Sequence, residues 1–203
     1  VLHMREVTMK VYSVEELSGK ALSRAYDDWY MNSDYPWSEE NRKTLLEFER
    51  IFPVKVTDWY YGGVYKYVKF HMTCDDEVAE LEGFRLAKYI WNNYRHIIYN
   101  GKYYSKGKCV NGKYQYVSRR SKINLERECS LTGYYLDYDI LKPLYDFLDS
   151  PKQYVTFRDL MEECLESWLN AYEDDYNNYY SIGNFIEIAK DNNYEFFEDG
   201  SMF

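Results

Sequence analysis

Hydrophobic residues recur at intervals of three and four over several stretches of the chain, a spacing that places them on one face of a helix. The longest stretch predicts a helix over about 157–178, with Thr156 as its N-cap. Its apolar stripe consists of Leu160, Cys164, Leu165, Trp168 and Tyr172. Other helices are predicted after the caps Ser18, Ser38 and Ser181, and over about 76–98 and 139–148.

Elsewhere apolar and polar residues alternate, which is typical of strands. Two such runs flank Gly62-Gly63, and two more, Tyr103–Val110 and Lys113–Val117, flank Asn111-Gly112, the strongest short hairpin signal. Further strands are predicted over Ile123–Glu128 and Tyr134–Asp139. The pattern therefore predicts one α+β domain over 1–203, in which an antiparallel sheet of about five to six strands packs with several helices.

The composition excludes several classes of protein. Residues Val1 to Met4 resemble the remnant of a cloning vector and carry no functional expectation. No apolar run among the 203 residues approaches the length that spans a membrane. The four cysteines lack the short, regular spacing of a disulfide framework. We therefore expect a reduced protein in the cytoplasm of its cell, with no membrane partner.

Aromatic content and charge layout both point towards binding. Aromatic residues make up 20% of the chain, and 25 of its residues are tyrosines, which suit contact surfaces because a large ring carries a polar tip. The net charge is −9, but residues 85–127 carry +10 and residues 128–203 carry −13. The two segments either neutralise each other within the molecule or form separate patches that attract partners of opposite charge.

Each charged segment contains a candidate binding surface. Lysine and arginine between tyrosines, as in 85–127, suit a single-stranded or looped nucleic acid, because cations pair with phosphates and rings stack on bases. The residues proposed for this surface are Lys106, Lys108, Lys113, Tyr114, Tyr116, Arg119 and Arg120. An acidic helical face can instead imitate a phosphate backbone. The residues proposed for that face are Glu162, Glu163, Glu166, Glu173, Asp174 and Asp175.

Catalytic and metal chemistry have weaker support. Asp137 and Asp139 would share one face of a strand and resemble the carboxylate pair of a metal-dependent nuclease, but no further nuclease signature accompanies them. His71 and Cys74 form one close ligand pair, whereas zinc sites usually show two. Phosphate loops, nucleophile elbows and dinucleotide fingerprints are absent from the sequence. We therefore expect a non-enzymatic protein without catalytic residues, metal or cofactor.

Both ends of the chain contain recognisable segments. These are the helix start in Tyr12–Ala21 with Tyr26–Tyr30 and Asp34–Trp37, the segment Phe52–Asp58, and the segment Asp191–Gly200, which has the pattern Asn-x-Tyr-Glu-Phe-x-Glu-Asp-Gly. In these segments the chain resembles a group of phage and prophage proteins, some of them described as antitoxin-like. The middle of the chain departs from the group and lacks its Gly-Asp-Gly segment. The resemblance implies action inside a bacterial cell and transfers no catalytic residue.

The expected function is that of a phage-encoded inhibitor or modulator that binds a host protein or a protein–nucleic acid complex. A defence system such as CRISPR–Cas is the expected class of host factor, which makes the chain an anti-defence or anti-CRISPR protein. The alternative is a nucleic-acid-binding or antitoxin-like regulator that acts through 85–127. A nuclease that uses Asp137 and Asp139 is a third hypothesis. The oligomeric state stays open.

Overall fold

The computed structural model describes residues 8–62, 65–111, 113–127 and 129–203, and for residues 100–110 and 113–125 it describes the backbone. These residues form seven α-helices, one short 3-10 helix at Val14–Glu16 and six strands. The helices are α1 (Gly19–Asn32), α2 (Ser38–Ile51), α3 (Asp76–Ala79), α4 (Gly83–Ile98), α5 (Leu136–Asp149), α6 (Phe157–Tyr179) and α7 (Ile182–Asp191). The strands are β1 (Tyr12–Ser13), β2 (Val54–Tyr60), β3 (Tyr67–Met72), β4 (Asn100–Val110), β5 (Lys113–Glu126) and β6 (Glu195–Phe196).

The chain divides into two compact units. The first unit combines Asp174–Phe203 with the described residues up to Pro36, and the second unit is Trp37–Glu173. Each unit has its own buried residues. The single domain over 1–203 stays a prediction.

In the first unit, α1 and α7 enclose a small aromatic core. Ser18 is the N-cap of α1, as predicted. Ahead of α1, the Ser13 amide donates to the Glu16 carboxylate at 2.8 Å at the start of the short 3-10 helix. Strand β6 pairs antiparallel with β1 and joins Tyr12 to Phe196. The buried residues of this core are Val14, Leu17, Ala25, Trp29, Phe185, Ala189 and Phe196.

The second unit has a mainly helical core, in which α6 is the longest element. The predicted helix over 157–178 is confirmed, and all five residues of its predicted stripe are buried. Trp168 is fully buried, its indole Nε1 donates to the Asn41 carbonyl at 2.9 Å, and its ring meets Trp59 edge to face. The other fully buried side chains of this unit include Phe48, Leu86, Ile90, Leu136, Ile140, Leu141, Leu144 and Phe157.

The predicted antiparallel sheet of five to six strands is wrong. The described strands form three separate antiparallel pairs, β1–β6, β2–β3 and β4–β5, within a mostly helical α+β fold. Residues 123–126 continue β5, and α5 starts inside the predicted strand 134–139. Alternation and turn residues predict a hairpin but not whether it joins another hairpin. In β2 and β3 Val54 alone is buried, and Tyr60 and Tyr67 are 50% and 40% exposed, so no further described strand covers this hairpin.

The single helix predicted over 76–98 is also wrong, because it is interrupted between α3 and α4. Glu82 forms a β-bridge with Thr156, and the Phe157 amide donates to the Leu81 carbonyl at 2.9 Å. This pairing with a distant segment has no local sequence signal. The buried side of α4 includes Leu86, Ile90 and Ile98. Phe84 and Trp91 of the same helix are 68% and 36% exposed.

Gly200 allows the C-terminal segment to lie against α1. Its φ is +87°, in the region that favours glycine, and a Cβ at this position would stand 2.0 Å from the Ala21 carbonyl oxygen. We therefore expect Gly200→Ala to lower the free energy of unfolding by about 2 kcal/mol or more, because neither partner of the clash is a flexible side chain. Urea denaturation followed by tryptophan fluorescence measures the loss.

Gly19→Ala is the matched control for this prediction. Gly19 also has a positive φ, +54°, but no atom lies within 4 Å of the position its Cβ would take. This variant should lose about 1 kcal/mol, the conformational cost alone. Equal losses in the two variants would show that contact with α1 does not select Gly200.

Candidate functional site

Three of the six predicted acidic residues lie on the solvent side of α6. Glu162, Glu163 and Glu166 are exposed, whereas the residues of the opposite side of the helix are buried. The ion pairs formed by the described residues do not include these three glutamates. Their charges are thus displayed to solvent rather than neutralised by a side-chain cation.

The other three acidic residues have different surroundings. Glu173 is half-buried, and its Oε2 lies 3.0 Å from the Lys66 ammonium. Asp174 is exposed and Asp175 accepts a hydrogen bond from the Tyr35 hydroxyl; both aspartates belong to the first unit. Two of the six predicted carboxylates are therefore already engaged by their own chain.

Glu163 and Glu166 line a cleft between α5 and α6 with a volume of about 380 Å³. Its apolar lining comes from Pro143, Phe147 and Val155. Asp146 adds a third carboxylate, held 2.5 Å from the Lys142 ammonium one helical turn away. The remaining lining residues are Ser150, Lys152, Ser167 and Asn170. The cleft thus combines an apolar lining with a mainly acidic rim.

Sequence reasoning located the glutamates of this cleft but missed its apolar lining. Helical spacing on α6 is enough to place Glu163 and Glu166 together. Phe147 and Val155 lie on either side of the break at Ser150-Pro151, and they come together through packing of α5 against α6. The one local sign of this packing is the Ser150-Pro151 break, which separates two consecutive amphipathic helices, α5 and α6.

The proposed basic surface lies largely on the β4–β5 ribbon. The backbone register pairs Val110 with Lys113 next to the predicted turn; Asn111 has a φ of +55°, whereas Gly112 lies outside the described residues. Further along, Lys108 pairs with Gln115, Gly107 with Tyr116 and Cys109 with Tyr114. The hairpin predicted at Asn111-Gly112 is confirmed. The side chains of the proposed basic surface, Lys106, Lys108, Lys113, Tyr114, Tyr116, Arg119 and Arg120, lie outside the description.

The ribbon is irregular where the two adjacent arginines occur. Tyr104 pairs with Lys122 and Lys106 pairs with Ser118, so a single residue of β4 stands opposite three of β5, including Arg119 and Arg120. Extra residues of this kind bend a strand and redirect its side chains. The backbone therefore sets this arginine pair apart from the regular ladder.

One cation of the basic segment is used inside the molecule. The Arg127 guanidinium makes a two-pronged pair with the Asp149 carboxylate and lies 5.2 Å from the ring centroid of Tyr145 and 5.9 Å from that of Tyr99. The hydrogen bonds from Arg127 lower the pKa of Asp149 below its usual range, and the same bonds raise the pKa of Arg127. Of the two alternatives for the charged segments, internal neutralisation or separate patches, this pair is an example of internal neutralisation.

The strand placement behind the nuclease hypothesis is wrong. Asp137 and Asp139 lie in the first turn of α5, where residues two apart point in different directions. Asp137 is fully buried, and its Oδ2 accepts the amides of Leu131, Thr132 and Gly133 at 2.6–2.9 Å. Its Oδ1 accepts the hydroxyls of Thr132 and Thr44 at 2.8 and 3.1 Å. The carboxylate thus fixes the loop before α5.

Comparison of the chain with protein-family models found no match, and neither did comparison with curated proteins or with solved structures. No described helix combines the length and apolar character needed to cross a membrane. The described His, Cys, Asp and Glu residues form no group of three or more that could hold a metal ion. The resemblance to phage proteins stays a prediction.

The buried carboxylate of Asp137 should be essential for stability. We expect Asp137→Asn to lower the free energy of unfolding by about 3 kcal/mol, because an amide nitrogen would replace one of two oxygens that face only donors. Urea denaturation measures the loss. Asp146→Asn, which removes an exposed charge on the same helix, should cost less than about 1 kcal/mol. Similar losses in both variants would contradict this role of Asp137.

The Arg127–Asp149 pair should make a pH-dependent contribution to stability. Because the pKa of Asp149 is lowered in the folded state, its contribution is present above the unfolded pKa of about 3.9 and is lost as the pH falls through the folded value. At pH 7 the free energy of unfolding of the wild type should exceed that of Asp149→Asn by less than about 1 kcal/mol, because the carboxylate is largely exposed. Denaturation across pH 2 to 7 should show this difference shrinking in acid; a constant or growing difference would refute the assignment.

Proposed function

We propose that this chain is a non-enzymatic binding protein that holds a basic segment of a host factor in the cleft between α5 and α6. The observation that carries the proposal is the position of Glu163 and Glu166, two exposed glutamates on the rim of a cleft whose lining is partly apolar. Asp146 places a further carboxylate in the same cleft. Acidic groups around an apolar lining suit a partner that is both cationic and aliphatic.

Lysine and arginine side chains have this combination. Their aliphatic stems can lie along Phe147 and Val155, while the charged end pairs with Glu163 or Glu166. A volume of about 380 Å³ suits a few side chains rather than a whole helix. Since rim carboxylates mainly steer association and select the partner, binding should be faster and tighter at low salt.

We further propose that the host factor belongs to a bacterial defence system, which makes the chain an inhibitor of phage or prophage origin. This part of the proposal is supported by the resemblance of both chain ends to phage proteins. A host factor that handles nucleic acid needs a basic surface for the phosphates, and an acidic cleft is complementary to such a surface. Inhibition by occupation needs no catalytic residue in the inhibitor.

The β4–β5 ribbon supports a second candidate function, the binding of nucleic acid. Residues 100–126 contain seven lysines and arginines and one acid, Glu126, in a chain whose net charge is −9. The two strands pair with each other and with no other described strand. A two-stranded ribbon of this kind fits the major groove of a duplex, and Arg119 and Arg120 occur in this ribbon where its register is irregular.

Capture from a bacterial host lysate, with and without nuclease, separates the two functions. We expect the wild type to retain a protein partner after nuclease treatment. Charge reversal by Glu163→Lys with Glu166→Lys should weaken binding of the purified partner roughly tenfold or more. Glu187→Lys with Glu198→Lys is the matched control, because it changes the net charge equally at exposed positions of the first unit.

Three results would contradict the proposed cleft. The first is a partner that is lost with nuclease and with Arg119→Glu and Arg120→Glu, which would favour the ribbon. The second is equal weakening by both pairs of glutamate reversals, which would indicate a general charge effect. The third is full affinity after reversal of Glu163 and Glu166.

A further inference from the structure

The first unit contains a second cleft, of about 750 Å³, between α1, the end of α6 and the C-terminal segment. Its volume lies within the range of small-molecule sites. Trp29 and Phe196 form its buried aromatic lining, and Tyr179 and Tyr194 are half-buried beside them. The cleft was not predicted, because its walls come from both ends of the chain.

The aromatic lining is closely packed. Trp29 packs against Tyr179 with 5.8 Å between ring centroids, and against Tyr180 and Phe185 at 5.7 and 5.4 Å. The Tyr180 hydroxyl donates to the Ser33 carbonyl at 2.9 Å. These contacts group several aromatic rings beside the cleft, and the face of an aromatic ring carries the negative part of its quadrupole.

The polar lining is acidic. Asp28 and Asp34 line the cleft, and none of its lining residues is basic. Arg24 lies 3.9 Å from Asp28 and also pairs with Asp199, so the charge of Asp28 is partly offset. Asp34 is exposed and takes part in no ion pair within the described ranges.

One polar group of the lining has no partner. The Ser33 hydroxyl is buried and has no hydrogen-bond partner among the described residues. Burial raises the pKa of Tyr179, and the neighbouring Tyr180, Tyr194 and Asp34 raise it further. Two carboxylates and several aromatic residues therefore line the same cleft.

We propose that this cleft binds an organic ammonium cation, held by Asp34 and by the faces of Trp29, Tyr179 and Tyr194. A cation is attracted both by carboxylates and by aromatic faces, and an ammonium that carries carbon substituents also fits the apolar part of the lining. A neutral ligand would gain from the rings alone, and an anion would be repelled. This site is separate from the cleft between α5 and α6, and it stands whether or not that cleft binds a basic partner.

Choline and its neutral isostere 3,3-dimethylbutan-1-ol are suitable probes. Their titration is followed in the indole N–H signals of the five tryptophans, with the Trp29 signal assigned by its loss in Trp29→Phe. We expect choline to shift the Trp29 signal and the isostere to shift it much less. N-acetyl-trimethyllysine amide carries the same group on a peptide-like side chain, and tighter binding of this probe would assign the site to a protein ligand rather than to a free amine.

Variants test which groups hold the cation. Asp34→Asn should weaken choline binding roughly fivefold, and Tyr194→Leu should weaken it while keeping the apolar volume. Asp27→Asn is the matched control, because Asp27 is exposed on α1 and does not line the cleft. Circular dichroism confirms that each variant is folded.

The proposal fails if choline leaves the Trp29 signal unchanged up to the concentrations at which cation–π sites saturate. It also fails if choline and its isostere shift the signal equally, because the cleft would then recognise apolar groups alone. The proposal also fails if Asp34→Asn and Asp27→Asn weaken choline binding equally, because the binding would then depend only on the general negative charge of the unit.

Discussion

The burial of one side of α6 is the constraint on which the acidic cleft depends. Eight residues of this helix are buried, with Trp168 fixed by a hydrogen bond to the Asn41 carbonyl and by an edge-to-face contact with Trp59. Each large side chain buried in this way contributes about 1.5–3 kcal/mol, so the helix cannot rotate without a large loss. Its opposite side must therefore face solvent, and there the chain places Glu162, Glu163 and Glu166.

Local sequence signals predicted most elements, with the strand over 134–139 as an exception, but they predicted the assembly poorly. The bounds and stripe of α6, the cap of α1 at Ser18 and the hairpin at Asn111-Gly112 follow from spacing and turn chemistry, which act within a few residues. The interruption before α4 depends on pairing of Glu82 with Thr156, and the missing sheet depends on which hairpins meet. The candidate site follows the same rule, since its glutamates were predicted and its apolar lining was not.

The unequal charge distribution serves more than one purpose. Arg127 pairs with Asp149, and Lys66 pairs with Glu173. Part of the positive and negative charge is therefore neutralised inside the molecule. Asp137 is buried and accepts hydrogen bonds from the loop before α5 and from Thr44 of α2, which removes it from contact with solvent. The exposed glutamates of α6 have no such internal explanation, because none of them takes part in an ion pair among the described residues. This acidic side of α6 is consequently where a cationic partner would gain most.

Carboxyl-group footprinting by mass spectrometry tests the central claim most directly, because it reports the solvent exposure of each acid in the free and bound protein. In the free protein, Glu162, Glu163 and Glu166 should react readily, whereas Asp137 should be protected. With the captured partner bound, Glu163 and Glu166 should become protected while Glu187 keeps its reactivity. Continued reactivity of Glu163 and Glu166 in the complex would contradict the account, because the acidic cleft would then not be the surface that binds.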